Sequence, residues 1–121
     1  MEVNKNNLIH WLQELIRIPS ITGKEEAISQ YVYQELSKMG FHPQLKENNV
    51  FFEIGEGSKS LLLNAHLDTV DVGGEWKHDP FGASMEDGKI FGRGASDDKG
   101  NIAAMLEIAR LLKNTEINGR L

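Results

Sequence analysis

Cysteine is absent from this sequence of 121 residues. The absence excludes a disulfide-stabilised scaffold and any metal site built from thiolates. A metal bound by this chain would therefore need imidazole and carboxylate ligands, a set that suits zinc, manganese or cobalt.

Excess positive charge and long apolar runs are also absent. The formal net charge is −5 and the cationic residues are scattered among acids, which argues against nucleic acid as the main partner. No apolar run approaches the roughly 20 residues that a membrane span needs. The N-terminal stretch carries charges and lacks the cleavage site of a signal peptide. We therefore expect a soluble, cytoplasmic protein.

The 40% hydrophobic content is enough for one modest core, and its periodicity changes along the chain. Helical spacing predicts a first helix that ends before Pro19 and a second that opens with a capping box at Thr22 and Glu25 and ends at Gly40. Period-two stretches predict a hairpin turning at 48–49, a buried apolar strand in SLLLNAH and a short strand near 89–91. A last helix is predicted over about 99–113, with a buried stripe formed by Ile102, Met105, Leu106, Ala109 and Leu112.

This order of elements predicts an α/β fold with helices packed on a mixed β-sheet. No linker or repeat marks an internal boundary, so residues 1–121 are expected to belong to one domain. The final residues, NTEINGRL, read as the start of a further strand. We therefore expect the domain to be incomplete at its C-terminus.

The segment NAHLDTV carries the first candidate site residues. In a strand His66 and Asp68 project from the same face, while Leu67 points the opposite way. At the carboxyl end of a buried strand the pair would reach the crevice where α/β proteins bind ligands. A metal-binding histidine and a carboxylate that orients it fit this spacing. The alternative is a capping aspartate beside a surface histidine, and the pair taken alone favours it.

The second candidate stretch is GRGASDDKG, at 92–100. It fails as a dinucleotide fingerprint because Asp97 occupies the third glycine position, and it also fails as a phosphate loop. The spacing of its aspartates does not match a calcium-binding loop. What remains is a turn permitted by glycines that presents a carboxylate. The alternative is that Asp97 or Asp98 simply caps the last helix.

Between these stretches lies a loop that Trp76, Pro80 and Phe81 are expected to clamp by packing, followed by a hairpin turn at 86–88. His78 is either a further ligand or a surface histidine beside Asp79. His10 and His42 receive no role.

Taken together, NAHLDTV, WKHDPF and DGKIFGRGASDDKGNIAAML closely resemble the amino-terminal part of the di-zinc metallopeptidase family. That family includes acetylornithine deacetylase, succinyl-diaminopimelate desuccinylase, aminoacylases, glutamate carboxypeptidases and dipeptidases. LIRIPSITG and EEAISQYV also resemble its opening, so the likeness covers essentially the whole chain. It implies a zinc-exopeptidase-like catalytic domain.

The resemblance also implies residue roles. His66 matches a metal ligand, and Asp68 matches the catalytic carboxylate that holds this histidine. Asp97 matches the aspartate that bridges two zinc ions and precedes a cis peptide bond. Cobalt or manganese could replace zinc, and a small N-acyl amino acid or peptide would be the substrate. The full-length form would be a homodimer.

Two residues depart from the family pattern: Asp98, where many deacylases have methionine, and Asn101, where glycine is frequent. The first makes the motif more similar to dipeptidases and carboxypeptidases. The family's remaining ligands and general base have no counterpart in residues 1–121. With only His66 and Asp97 as ligands, we expect this chain to bind zinc weakly and to lack hydrolytic activity.

Two rival hypotheses stay open. The chain could be a non-catalytic fragment or binding module with residual metal affinity. A weaker rival is a nucleotide-binding domain that uses Gly92 and Gly94.

Overall fold

A computed structural model describes residues 2–121. The first helix, α1 (Lys5–Arg17), begins after Asn4, whose side chain accepts hydrogen bonds from the backbone N–H groups of Asn6 and Asn7. It ends two residues before Pro19, as predicted, and it buries Trp11, Leu15 and Ile16. Within residues 2–121, no helix is long and apolar enough to cross a membrane.

The second helix, α2 (Glu26–Lys38), buries Ile28, Val32 and Leu36 and is followed, as predicted, by Gly40 with a left-handed φ of 89°. The predicted capping box is wrong, because the residue before the helix, Glu25, makes no side-chain cap. Glu25 instead accepts a hydrogen bond from the backbone of Gly23. The Thr22 hydroxyl, which would have completed the box, donates to the carboxylate of Asp68.

The strands of the described region form three two-stranded sheets. Strands β1 (Gln44–Lys46) and β2 (Asn49–Phe51) form an antiparallel hairpin, with its turn one residue earlier than predicted, at 47–48. Strand β3 (Glu56–Ser60) pairs in parallel with β6 (Asn118–Arg120), the further strand that NTEINGRL predicted. Strands β4 (Met85–Glu86) and β5 (Lys89–Ile90) form the third pair.

The prediction of a buried strand in SLLLNAH is wrong in its pairing and burial. Strand pairing ends at Ser60, and Leu61 and Leu62 are exposed by 62% and 84%. The backbone N–H of Leu61 still bonds to Arg120, but β6 ends there and offers residues 62–68 no neighbour. Side chains along 62–67 nevertheless alternate between more and less exposed positions, as expected for extended backbone.

The third helix, α3 (Gly100–Leu112), packs against α1 and α2 and completes the core. It buries Ile102, Leu106 and Ala109 as predicted, whereas Met105 and Leu112 are only half-buried. Neither Asp97 nor Asp98 caps this helix, since its first residue is preceded by Lys99 without a side-chain cap. The α/β class is confirmed. The expected mixture of parallel and antiparallel strands is present, but it is divided among three separate two-stranded sheets, one parallel and two antiparallel.

Candidate metal centre

His66 lies near the end of the extended segment that follows β3, with its side chain about half exposed. The neighbouring Leu67 packs against the hydrophobic core. The packing of Leu67 holds the backbone in place, while the imidazole of the preceding residue, His66, faces outward. His66 Nε2 lies 2.8 Å from Asp97 Oδ1, although the two residues are 31 positions apart in the sequence.

Asp68 lies on the opposite side of the same imidazole. His66 Nδ1 is 2.9 Å from the backbone oxygen of Asp68 and 3.2 Å from its carboxylate Oδ1. The other carboxylate oxygen accepts a 2.5 Å hydrogen bond from Thr22 Oγ1. This bond, followed by the charge interaction with His66, holds the pKa of Asp68 below its ordinary value. The sequence pattern thus placed His66 and Asp68 together correctly.

Asp97 is presented by a short turn, Ala95–Lys99, which we call the Asp97 turn. Asp97 has extended backbone angles, φ −129° and ψ 92°, inside an otherwise helical turn. Its side chain is 87% exposed. The peptide bond from Asp97 to Asp98 is cis, as the family resemblance implies.

Gly94 makes this turn possible for two reasons. Its φ is +79°, a left-handed conformation that glycine adopts readily. A Cβ at this position would also lie 2.6 Å from Thr69 Cγ2, which is closer than real contacts allow. The turn that carries Asp97 therefore packs directly against the segment that carries His66 and Asp68.

Each ring nitrogen of His66 faces oxygen acceptors. Both atoms of Asp68 near Nδ1 are oxygens, which favour a proton on Nδ1 and, in the neutral ring, a lone pair on Nε2. That nitrogen faces another acceptor, the Asp97 carboxylate, and the contact requires a proton or another cation between them. The hydrogen bond to Asp97, then the one to the Asp68 backbone, raises the pKa of His66.

The segment that carries these three residues is similar to known proteins. Residues 62–120, which include all three candidate site residues, match the model of peptidase family M20/M25/M40. Over these residues the chain resembles the amino-terminal part of this family.

Among its curated relatives are succinyl-diaminopimelate desuccinylases from three bacteria. The enzyme from Methylobacterium radiotolerans is 38% identical over 104 residues, covering 78% of this chain and 26% of the relative. The Legionella pneumophila enzyme is 38% identical over 105 residues, covering 82% and 28%. The Ehrlichia canis enzyme is 33% identical over 117 residues, covering 88% and 31%. The chain thus spans about a quarter to a third of the length of these desuccinylases.

The donor set at this position fits a metal ion of the kind that the family resemblance implies. Zinc lies about 2.0–2.2 Å from imidazole nitrogen and carboxylate oxygen. His66 Nε2 and Asp97 Oδ1, which are 2.8 Å apart, could therefore contact one ion. The set is incomplete within residues 2–121, where no three histidine, aspartate or glutamate side chains are grouped to hold a metal.

Three residues near the centre were not given a supporting role by the sequence analysis. The Asp98 carboxylate accepts hydrogen bonds from the backbone N–H of His66, at 3.2 Å, and from the Asn101 side chain. Lys99 is fully buried, and its ammonium donates to the backbone oxygen of Ile18 at 2.8 Å. Burial lowers the pKa of Lys99 to about 8. The sequence shows that these residues lie close to Asp97 along the chain. Their hydrogen-bond partners, His66 and Ile18 among them, are distant in sequence and become neighbours only in the tertiary fold.

His78 is in a different environment. Its ring stacks on Phe91, with ring centroids 4.1 Å apart, and its Nε2 lies 3.5 Å from Glu86. These contacts account for His78 as a packed surface histidine.

Proposed function

We propose that this chain forms the amino-terminal half of a metallohydrolase catalytic domain. The complete domain would hydrolyse an amide bond in an N-acyl amino acid or small peptide, and this chain alone would be inactive. The 2.8 Å approach of His66 to Asp97 carries the proposal, because it brings two metal-ligand side chains together at an exposed position. Desuccinylase relatives favour a deacylase over a dipeptidase or carboxypeptidase.

In this proposal His66 Nε2 and Asp97 Oδ1 hold metal, and Asp68 acts by fixing the imidazole. Its backbone and carboxylate oxygens keep the proton on Nδ1, so that Nε2 remains available as a ligand. A pair of zinc ions, or cobalt or manganese in their place, would supply Lewis acidity toward the scissile carbonyl and toward water.

The surroundings of the pair suit a small substrate. A cleft of about 270 Å³ lies beside it, lined among others by Thr22, Arg93 and Ser96. Its wall combines three hydroxyl-bearing residues, Thr22, Thr69 and Ser96, with an arginine. Such a lining is compatible with a polar acyl group or an amino-acid carboxylate. The cytoplasmic location and the homodimer that the resemblance implies remain predictions.

A second candidate function is a binding module without catalysis. It is favoured by the lack of a third grouped ligand among residues 2–121. Such a module would bind metal weakly and would not turn over any amide.

The two candidates differ in the activity of the complete gene product. Release of free amine would be measured with N-succinyl-diaminopimelate, N-acetyl amino acids and dipeptides in the presence of zinc or cobalt. The hydrolase proposal predicts turnover that His66→Ala abolishes and that the control His78→Ala preserves. Absence of turnover with every substrate, together with retained metal binding, would support the module instead.

A further inference from the structure

Residues 18–22, which follow α1, contact both parts of the candidate metal centre. The backbone oxygen of Ser20 accepts a 2.8 Å hydrogen bond from Thr69 N, and Thr22 N donates to Thr69 O at 3.0 Å. The buried Ser20 hydroxyl donates to Leu67 O at 2.8 Å. These bonds attach the 18–22 segment directly to the backbone that carries His66 and Asp68.

The Thr22 side chain adds a contact that this attachment does not need. Its hydroxyl has one proton and two acceptors within reach: Asp68 Oδ2 at 2.5 Å and Thr69 O at 3.4 Å. The shorter contact, to an ionised group, is much the stronger. The carboxylate of Asp68 is thereby held between the Thr22 hydroxyl on one oxygen and His66 Nδ1 on the other.

The same segment also reaches the Asp97 turn. The buried ammonium of Lys99 donates to Ile18 O at 2.8 Å. The side chain of Lys99 and that of Thr69 converge on Gly94, where an added Cβ would contact both. Residues 18–22 therefore connect the two separate stretches that supply His66 and Asp97.

We propose that the 18–22 segment positions the metal-ligand pair, and that Thr22 is its positioning residue, acting through Asp68 to orient His66. The inference rests on the proposed function insofar as it concerns metal affinity. Thr22 is not proposed as a metal ligand. Without its hydroxyl the carboxylate of Asp68 can rotate away from Nδ1. His66 Nδ1 then keeps only the Asp68 backbone oxygen as an acceptor, which weakens the preference for a proton on Nδ1.

Thr22→Val tests this role because it removes the hydroxyl while keeping the side-chain shape. Thr22→Ser restores a hydroxyl. Thr115→Val is a matched control, because the Thr115 hydroxyl follows α3 and donates to Leu111 O in the last turn of that helix. Zinc affinity of the 121-residue chain would be followed by ¹H–¹⁵N NMR of the histidine rings. We expect Thr22→Val to weaken zinc binding about tenfold, within the range for residues that support a metal ligand.

The conservative variants separate positioning from general stability. Thr22→Ser should bind zinc within about threefold of the original chain, and Thr115→Val should leave affinity unchanged while lowering the melting temperature. Equal zinc affinity of Thr22→Val and the original chain would overturn the inference.

A metal-free measurement keeps this inference distinguishable from the proposed function. The ring ¹⁵N shifts of His66 in the absence of zinc report its tautomer, and Thr22→Val should raise the Nε2–H fraction. If the original chain shows no zinc response at His66, the proposed function fails, but the tautomer shift still decides the role of Thr22. An unchanged tautomer would refute that role.

Discussion

Gly94→Ala should destabilise the protein and separate the two parts of the candidate metal centre. The backbone at this position has φ +79°, a left-handed conformation that costs a residue with a Cβ about 1–2 kcal/mol. The new Cβ would also lie 2.6 Å from Cγ2 of Thr69, which is itself buried. Overpacking of this kind costs about 1–3 kcal/mol.

The two contributions can be measured separately because the chain offers a matched glycine. Gly88 has a similar φ of +73°, but nothing lies within 4 Å of an added Cβ. Gly88→Ala should therefore lose only the conformational contribution of about 1–2 kcal/mol, whereas Gly94→Ala should lose about 2–5 kcal/mol.

Urea denaturation at pH 7, followed by the fluorescence of the buried Trp11, gives both free energies of unfolding. In the folded Gly94→Ala protein the ring signals of His66 should also shift, because Thr69 is pushed away from the Asp97 turn. Equal destabilisation by the two substitutions would refute the close packing of Gly94 against Thr69. An unchanged His66 signal would refute its link to the metal centre.

Two further substitutions test the core. Glu107 is buried, and hydrogen bonds from Arg110 and then from the backbone of Asn4 lower its pKa. Its charged form therefore stabilises the fold at pH values above the pKa that Glu107 has in the unfolded chain. That stabilisation is lost as the pH falls through the lower pKa of the folded protein. Glu107→Gln should lower the free energy of unfolding by about 1.5–3 kcal/mol at pH 7. In urea denaturation, the difference in this free energy between the variant and the original chain should narrow below about pH 4. A difference that stays constant with pH would contradict the lowered pKa of Glu107. Leu15→Ala, at a fully buried position, should cost about 2–5 kcal/mol in the same assay, and a loss below 1 kcal/mol would contradict its place in the core.

The sequence predicted the helices well because their signals are local. Apolar spacing, Pro19 and Gly40 define α1 and α2 within a few residues. The error at SLLLNAH has a different origin. Pairing depends on which backbone lies alongside, and β6 reaches only as far as Ser60 and Leu61.

The candidate site was predictable in part. The spacing of His66 and Asp68 follows from strand geometry, and the family resemblance added Asp97. Thr22 illustrates what local patterns miss. Its position before a helix predicts a cap, but its hydroxyl has a charged acceptor 46 residues away, a stronger partner that only the tertiary structure brings into contact.

The most direct test of the account is a zinc titration of the 121-residue chain, followed by ¹H–¹⁵N NMR of the imidazole rings. His10, His42 and His78 serve as internal controls, because none of them is placed at the centre. We predict that the Nε2 signal of His66 alone shifts as zinc is added, that Nδ1 keeps its proton, and that Asp97→Asn weakens the response. A shift at another histidine with none at His66, or a His66 response that is unchanged in Asp97→Asn, would contradict a metal centre formed by His66 and Asp97.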